Sequence, residues 1–331
     1  MPLEWCTSPV AEDLTCNKDR ILGGACMGTD LPALLPVWPI QAISTRVLGN
    51  GPQIQQDVFA IISDDPITKD ITEDIHWHRA GPVLYGVLEI DDSQGTADTG
   101  RTPLQDATRD AYDRIFRFLA DQGTPHLWKL WTYMSDINVE THGLERYRQF
   151  NIGRAEAFVA HKQVVEGNVP AACVLGTDGG PLTIAFLASS LPVIPIENPR
   201  QVSAFHYPEQ YGPRKPLFAR AAIARLDGRS NLFISGTASI VGHETVHIGD
   251  VRAQTYECLN NIEALLQEAK RIEGANFGFG DLAYRVYVRN SEDVSVVKEV
   301  IQERIGSSHA VYLRADVCRS DLLVEVEAHS T

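Results

Sequence analysis

Residues 254–266, QTYECLNNIEALL, set Cys258, Ile262, Leu265 and Leu266 on one face at helical spacing. Residues 107–119, ATRDAYDRIFRFL, do the same with Ala107, Ala111, Ile115, Phe118 and Leu119. Outward from these two helices the same order of elements unfolds twice. A strand pattern follows each one, KLWTYMSDI at 129–137 and YRVYVRNSE at 284–292. A second helix comes next, with Arg146, Phe150, Ala155 and Phe158 in the first half and residues 294–305 in the second. Each half closes on two strands, 171–175 with 182–187, and 311–317 with 322–327. In this reading PLTIAFLA at 181–188 lies over LLVEVEAH at 322–329. A shared order of helix, strand, helix, strand, strand predicts a duplicated unit of ~120–140 residues. The fold class is α+β, each unit a mixed sheet with two helices on one face. Five prolines from Pro192 to Pro213 mark the connection, which divides the chain into 1–195 and 196–331. Ahead of the first helix only 58–62 and 83–90 read clearly as strands, and 91–103 reads as a loop.

Composition narrows the function classes. The 331 residues suggest roughly two domains. Hydrophobic residues at 44% leave enough apolar surface for two cores. Lys and Arg number 29 against 43 Asp and Glu, a formal charge of -14, and no basic run interrupts it. Such a surface repels phosphate backbones and anionic lipid, so no nucleic-acid or membrane partner is expected. No stretch approaches the roughly 20 apolar residues of a membrane helix, and residues 1–16 show no basic-then-apolar leader. A cytoplasmic protein is expected. The six cysteines stand far apart without a CxxC pair, which reads as free thiols. His76 and His78 have an i, i+2 spacing but no third ligand, so no metal is expected. The stretches VLGNG, GTDGG and FGFG lack the residues of a phosphate loop or dinucleotide fingerprint, and no cofactor is expected.

The second half carries a resemblance. YGPRKPLFARAAIARLDGRSNLFISGTASI, GDVRAQTYECLNNIEALL, LAYRVYVRNSEDV and LLVEVEAH together resemble the YjgF/RidA family over about 120 residues. The resemblance implies a RidA-like (chorismate mutase-like) unit, with the first half a degenerate relative. YGPRKPLFARA and FISGTASIVG in a two-unit chain of this length are similar to the chorismatases, and most to the branch making 3-hydroxybenzoate, with 4-hydroxybenzoate in some members. That resemblance implies chorismate as substrate, pyruvate as co-product, and aromatic products that feed pigments and ubiquinone. One position departs from RidA deaminases: Ala310 stands where their carboxylate-binding arginine would be. This counts against imine-deaminase activity unless a neighbouring arginine substitutes. A chorismate hydrolase giving a dihydroxy-cyclohexadienoate is a further alternative, and a non-catalytic binder of a small aromatic or keto acid is another.

Cleaving the enol ether of chorismate by an acid route needs a proton at the enolpyruvyl methylene. The donor must be a carboxylic acid kept neutral near pH 7, against about 4.3 for a free Glu. In residues 322–327 alternation puts Glu325 and Glu327 on one face, and the family motif selects Glu325 as the acid. Ordinary solvation of an edge-strand carboxylate is the competing account. The corresponding stretch 182–186 has no acid, so one half alone is expected to be catalytic. A dianionic substrate needs cations. Arg220 in FARA and Arg154 in FNIGRAEAF interrupt apolar segments, with Arg148 a third candidate. Arg154 is also accounted for as a structural partner of an acid, and Arg148 as a solvated helix charge. Tyr211 could donate to a substrate carboxylate or simply occupy a turn. Gly236, Thr237 and Ala238 fall where the RidA-like strand faces its ligand, and small residues there admit the ring closely. Cys318, seven residues before Glu325, resembles the cysteine of the 3-hydroxybenzoate branch. It reads either as a nucleophile or proton relay, or as an inert core thiol. A monomer or a small homo-oligomer fits equally well.

Overall fold

The computed structural model describes residues 3–8, 14–31, 38–49, 51, 53–93, 100–167, 169–306 and 309–331. The centre of the expected 91–103 loop lies outside them. Three sheets form the frame. The first, ahead of the duplication, comprises β1 (Leu3–Ser8), β2 (Ile21–Gly28), β3 (Ile40–Ser44) and β4 (Gln55–Ile61), in the order β1-β4-β2-β3. Sequence pattern missed most of it. Strand β2, ILGGACMG, is buried at every residue and so shows no alternation. Its glycines are required by close approach: a Cβ on Gly23 would enter the Tyr85 ring, and one on Gly24 would meet the Asp57 carbonyl.

The first unit runs β5 (Ile67–Thr72), β6 (Ile75–Ala80), β7 (Val83–Ile90), α1 (Pro103–Asp121), β8 (His126–Ser135), a short hairpin of β9 (Glu140–Thr141) and β10 (Leu144–Glu145), α2 (Arg146–Ala160), β11 (Ala171–Thr177) and β12 (Leu182–Ser189). The second runs β13 (Val193–Ile196), β14 (Ala221–Leu226), β15 (Arg229–Ala238), a hairpin of β16 (Ile240–Val241) and β17 (Glu244–Thr245), α3 (Val251–Glu273), β18 (Leu282–Val288), α4 (Val294–Ile305), β19 (His309–Arg314) and β20 (Val324–Ser330). Their six-stranded sheets have one topology, β11-β8-β12-β7-β6-β5 and β19-β18-β20-β15-β14-β13. In each, a single parallel pair (β8 with β11, β18 with β19) joins otherwise antiparallel strands. The chain is therefore α+β with two RidA-like units, as the duplicated pattern predicts.

Helices fix the outer faces. Thr102 caps α1 in a reciprocal box with Gln105 and Pro103 opens the helix, while Asp250 caps α3 and left-handed Gly274 ends it. Helices α1 and α2 cover one face of the first sheet, with Ile115, Phe118 and Phe158 against Ile184 and Phe186. Helix α3 covers the second, with Ile262 and Leu265 against Ile234, Val324 and Val326. The opposite faces of both sheets meet the N-terminal sheet in a third core, where Leu22, Phe59, Trp131, Leu187, Tyr287 and Leu313 join.

One detail of the sequence comparison is corrected. Laying 181–188 over 322–329 pairs Ile184 with Glu325, but Ile184 faces the helices and Glu325 faces the inner core. Register shows the slip: Thr183 lies opposite Tyr133, as Glu325 lies opposite Tyr287. The hydroxyls of Tyr133 and Tyr287 meet at 2.6 Å across the two sheets. A one-residue slip exchanges the faces of a strand. Thr183 and Ala185 thus hold the places of Glu325 and Glu327, still without an acid. The strand expected from Leu217 also begins later, at Ala221, leaving Arg220 just ahead of it.

Leu265, fully buried between α3 and the second sheet, tests this layer. Leu265→Ala should lower unfolding free energy by about 2–5 kcal/mol in urea titration. Ile248→Ala, at a side chain 68% exposed, should stay within about 0.5 kcal/mol of the parent.

Candidate active site

A cavity of about 410 Å³ opens along the seam between the two units, within the size range of small-molecule sites. The first unit supplies Glu145, Tyr147 and Arg148 from the start of α2, and Ala172, Cys173 and Val174 from β11. The second supplies Tyr207, Tyr211, Phe218, Arg220, Gly236, Ala238, Cys318, Arg319 and Glu325.

Glu325 stands on the cavity wall with 4% of its surface exposed. Burial, reinforced by the charge of Glu327, pushes its carboxyl up to about 8, against the opposing pull of Lys129 and Arg220. Two residues along the same face, Glu327 behaves oppositely. Burial alone would raise it, but Lys129 and Arg285 bring it down to about 2. Lys129 Nζ lies 3.1 Å from Glu327 and donates to the Ile234 carbonyl at 2.8 Å. Arg285 Nη1 donates to Glu327 Oε1 at 3.3 Å, and the Tyr287 hydroxyl donates to the same oxygen at 2.9 Å. Two carboxylates on one strand are thus driven apart, one to a fixed anion and one to a neutral acid.

Gly236 lies at an irregularity of β15, where pairing with β20 shifts between Ile234 and Thr237. A Cβ there would overlap a carboxyl oxygen of Glu325 and crowd Cys173, so the glycine makes room for the acid. Ala238 shares the cavity face. Thr237 does not: alternation turns it away, and its hydroxyl donates to the Ser235 carbonyl at 2.8 Å.

Arg220, 5% exposed, lies over the rings of Phe218 (5.0 Å) and Tyr207 (5.5 Å). Its Nη2 donates to the Val202 carbonyl at 2.8 Å and to the Tyr207 hydroxyl at 2.7 Å, while Nε is buried without a partner. Arg148 also reaches the cavity, braced by Glu145 at 3.2 Å. Arg154 does not line it. That side chain is buried in α2, where Nη2 donates to Asn151 at 2.7 Å and the guanidinium lies 5.0 Å from Phe150. Its neighbours are the Asn151 amide and aromatic rings, and no ion pair to an acid, the competing account, is seen among the described residues. Tyr211 lines the cavity with its ring, but its hydroxyl is committed to the His243 carbonyl at 2.7 Å. Cys318 lines it with a thiol that burial, and then the charge of Glu325, pushes up to about 12.

Arg319 was missed by sequence reasoning. Its guanidinium stacks 3.9 Å from the Tyr211 ring and 5.2 Å from that of Tyr207. Nη1 donates to the His243 carbonyl at 2.9 Å, whereas Nη2 is buried and unpartnered. The available signal was its place next to Cys318, in a turn where a solvated arginine is the default. Ala310 sits on β19 opposite Tyr284, outside this cavity. His76 is exposed while His78 meets the Ile21 carbonyl at 2.9 Å, and no group of three metal-binding side chains occurs among the described residues. All six cysteines are free thiols.

The shift of Glu325 makes a stability prediction. An unfolded Glu releases its proton near 4.5, the folded one near 8. Between those values the native state holds an extra proton, so this group's contribution falls as pH rises from about 4.5 to 8 and is level above. Glu325→Gln removes that loss. Urea titrations should show the variant gaining on the parent by about 2–4 kcal/mol between pH 5 and pH 8, since each unit of difference is worth about 1.4 kcal/mol. A constant difference across that range would contradict the assignment.

Comparison with known proteins agrees with this architecture. The family model described as "Chorismatase FkbO/Hyg5-like, N-terminal" matches residues 60–188. A 3-hydroxybenzoate synthase of Streptomyces hygroscopicus is 42% identical over 257 residues, 73% of this chain and 75% of its own. A chorismatase of the same organism is 39% identical over 269 residues, covering 79% and 76%. A RutC family protein of Pyrococcus horikoshii is 33% identical over 102 residues, 29% of this chain and 75% of its own. The crystal structure of a chorismatase superposes with a TM-score of 0.87 at 32% identity, covering 100% of this chain and 98% of that one. With two RidA-like units, the buried Glu325 carboxyl on the wall of the cavity at their seam and relatives aligned across most of its length, the chain belongs to the chorismatase family.

Proposed function

We propose that the protein converts chorismate to 3-hydroxybenzoate, with 4-hydroxybenzoate as a second product, and pyruvate, through protonation of the enolpyruvyl methylene by Glu325. The observation that carries this reading is a carboxyl kept protonated to about 8 on the wall of a cavity that Arg148, Arg220 and Arg319 also line. Chorismate has two carboxylates. Arg220 and Arg319 both line the cavity, and a carboxylate beside each would pair with its guanidinium. Arg148 adds a third cation at the same wall. Aromatic rings beneath Arg220 and Arg319 hold them in place without neutralising them.

The chemistry then balances without water. Glu325 gives its proton to the methylene carbon, and the ether becomes an oxocarbenium-like group. The ring C4 hydroxyl displaces pyruvate, forming an arene-oxide-like ring, and its proton returns to the carboxylate of Glu325. Loss of a ring proton as the oxide opens gives the phenol, and the direction of opening selects the 3- or 4-hydroxy acid. The Cys318 thiol, held neutral, serves as a hydrogen-bond donor or proton relay to the ring oxygen rather than as a thiolate nucleophile. Gly236 and Ala238 leave space for the ring beside the acid. The name of the relative at 42% identity, 3-hydroxybenzoate synthase, supports the 3-isomer as the main product.

Incubation with chorismate, followed by chromatography, tests this directly. Pyruvate equal to the summed hydroxybenzoates, with the 3-isomer in excess, is expected; a dihydroxy-cyclohexadienoate would identify a hydrolase, and ammonia released from 2-aminoacrylate a deaminase. Glu325→Gln should cut kcat by roughly 10²–10⁴-fold while product still binds. Arg220→Ala should raise KM more than tenfold, the loss of a charge-assisted contact of about 1.5–3 kcal/mol. Cys318→Ala should shift the product ratio away from 3-hydroxybenzoate, and an unchanged ratio would leave the thiol as wall.

A further inference from the structure

The N-terminal sheet gives nothing to the cavity wall, yet it sends one acid into the inner core. Asp57 on β4 is fully buried and holds the fork of Arg285, Oδ2 accepting from Nε at 2.8 Å and Oδ1 from Nη2 at 2.5 Å. Arg285 on β18 lies directly opposite Glu327 on β20. Lys129, from β8 of the first unit, closes on Glu327 from the other side at 3.1 Å. The Tyr133 hydroxyl accepts from Arg285 Nη1 at 3.2 Å and meets Tyr287, which in turn donates to Glu327. One chain of contacts therefore joins all three sheets and ends beside Glu325.

Counting charge in this core gives two cations, Lys129 and Arg285, and two anions, Asp57 and Glu327. Glu325 is the fifth group. His329 adds none, since burial and then Arg285 push it down to about 3. From other elements Glu325 faces Arg220, which has Glu197 as its own neighbour, and the neutral thiols of Cys173, Cys258 and Cys318. The Tyr147 hydroxyl completes its surroundings. A buried set of charges is tolerated when it sums to zero, and an uncompensated charge there is costly.

We propose that Asp57 is a positioning residue for catalysis: by balancing Arg285 it closes the buried charge set at zero without Glu325, which leaves the site's proton on Glu325. This rests on the reading of Glu325 as the acid. Without the Asp57 charge the core carries a surplus cation, and ionisation of Glu325 is the way to cancel it. Asp57→Asn keeps the side chain's shape and one of its two acceptors for Arg285 while removing the charge. Its kcat/KM profile against pH should lose activity on the alkaline side at least about one unit earlier than the parent, roughly a fivefold or greater loss at pH 8 with a much smaller one at pH 6. The charge-balanced double variant Asp57→Asn with Arg285→Gln should move the alkaline limb back toward the parent.

Infrared difference spectra against Glu325→Gln, taken without substrate, read the protonated carboxyl itself and do not depend on turnover. They should show the Glu325 carboxylic acid band titrating earlier in Asp57→Asn and recovering in the double variant, which also serves if the single variant does not fold. An unmoved band and pH limb, or an equal loss of activity at every pH with no recovery, would overturn the role of Asp57 and leave the acid assignment standing. If instead the parent shows no protonated Glu325 near neutral pH, the acid assignment itself fails.

Discussion

Two carboxylates two residues apart on the buried face of one strand are the constraint on which this architecture turns. Both ionised, with no cation near, they would be intolerable in a core. Here Glu327 takes the charge because Lys129 and Arg285 converge on it, and Glu325, one step nearer the cavity, keeps its proton. Those cations come from different units, so the electrostatic condition of the acid is met only when the sheets have closed on one another. Folding of the inner core and readiness of the site are the same event.

The duplication explains the asymmetry. Both units have identical strand order, but their inner faces have diverged. Where β20 places Glu325 and Glu327, β12 places Thr183 and Ala185. The first unit offers Lys129 and Cys173 in return, the one a counter-ion and the other part of the cavity wall. It has become the support of an acid that it no longer has. The N-terminal sheet takes the third side of the inner core, covering with Leu22, Met27 and Phe59 what two curved sheets alone would leave open.

What the sequence disclosed follows from periodicity. Helices α1 and α3 and the strands after them carry clear 3.6 and 2 patterns because one face is wet or helix-covered and the other is core. The N-terminal sheet was illegible: β2 is buried on both faces, and its glycines imitate a turn while answering to Tyr85 and the backbone of β4. At the site, Glu325 and Gly236 were legible because a strand motif fixes its own parity, Arg220 because a charge interrupts an apolar segment, and Cys318 through the family resemblance alone. Thr237 failed by that strand parity, one residue out of phase. Arg154 interrupts the nine-residue stretch FNIGRAEAF, a context that signals burial but not which cavity it serves, and it lies inside the helix. Arg319 in its turn, and Tyr211 with a hydroxyl tied to His243, depend on loop geometry that spacing does not encode.

A formal charge of -14 and the proposed dianionic substrate are reconciled because they act at different ranges. Long-range repulsion is screened within about 8 Å at physiological salt. Inside the cavity the local count decides. Arg220 and Arg319 rest on Phe218, Tyr207 and Tyr211, with Glu197 a further neighbour of Arg220, so ring contacts fix their position at the cavity wall. Stacking on a ring immobilises a guanidinium without neutralising it. The same solution could not serve Lys129 and Arg285, which lie where no substrate reaches and must be balanced permanently. The structure thus places Lys129 and Arg285 among buried acids, and Arg220 and Arg319 on aromatic rings at the cavity wall.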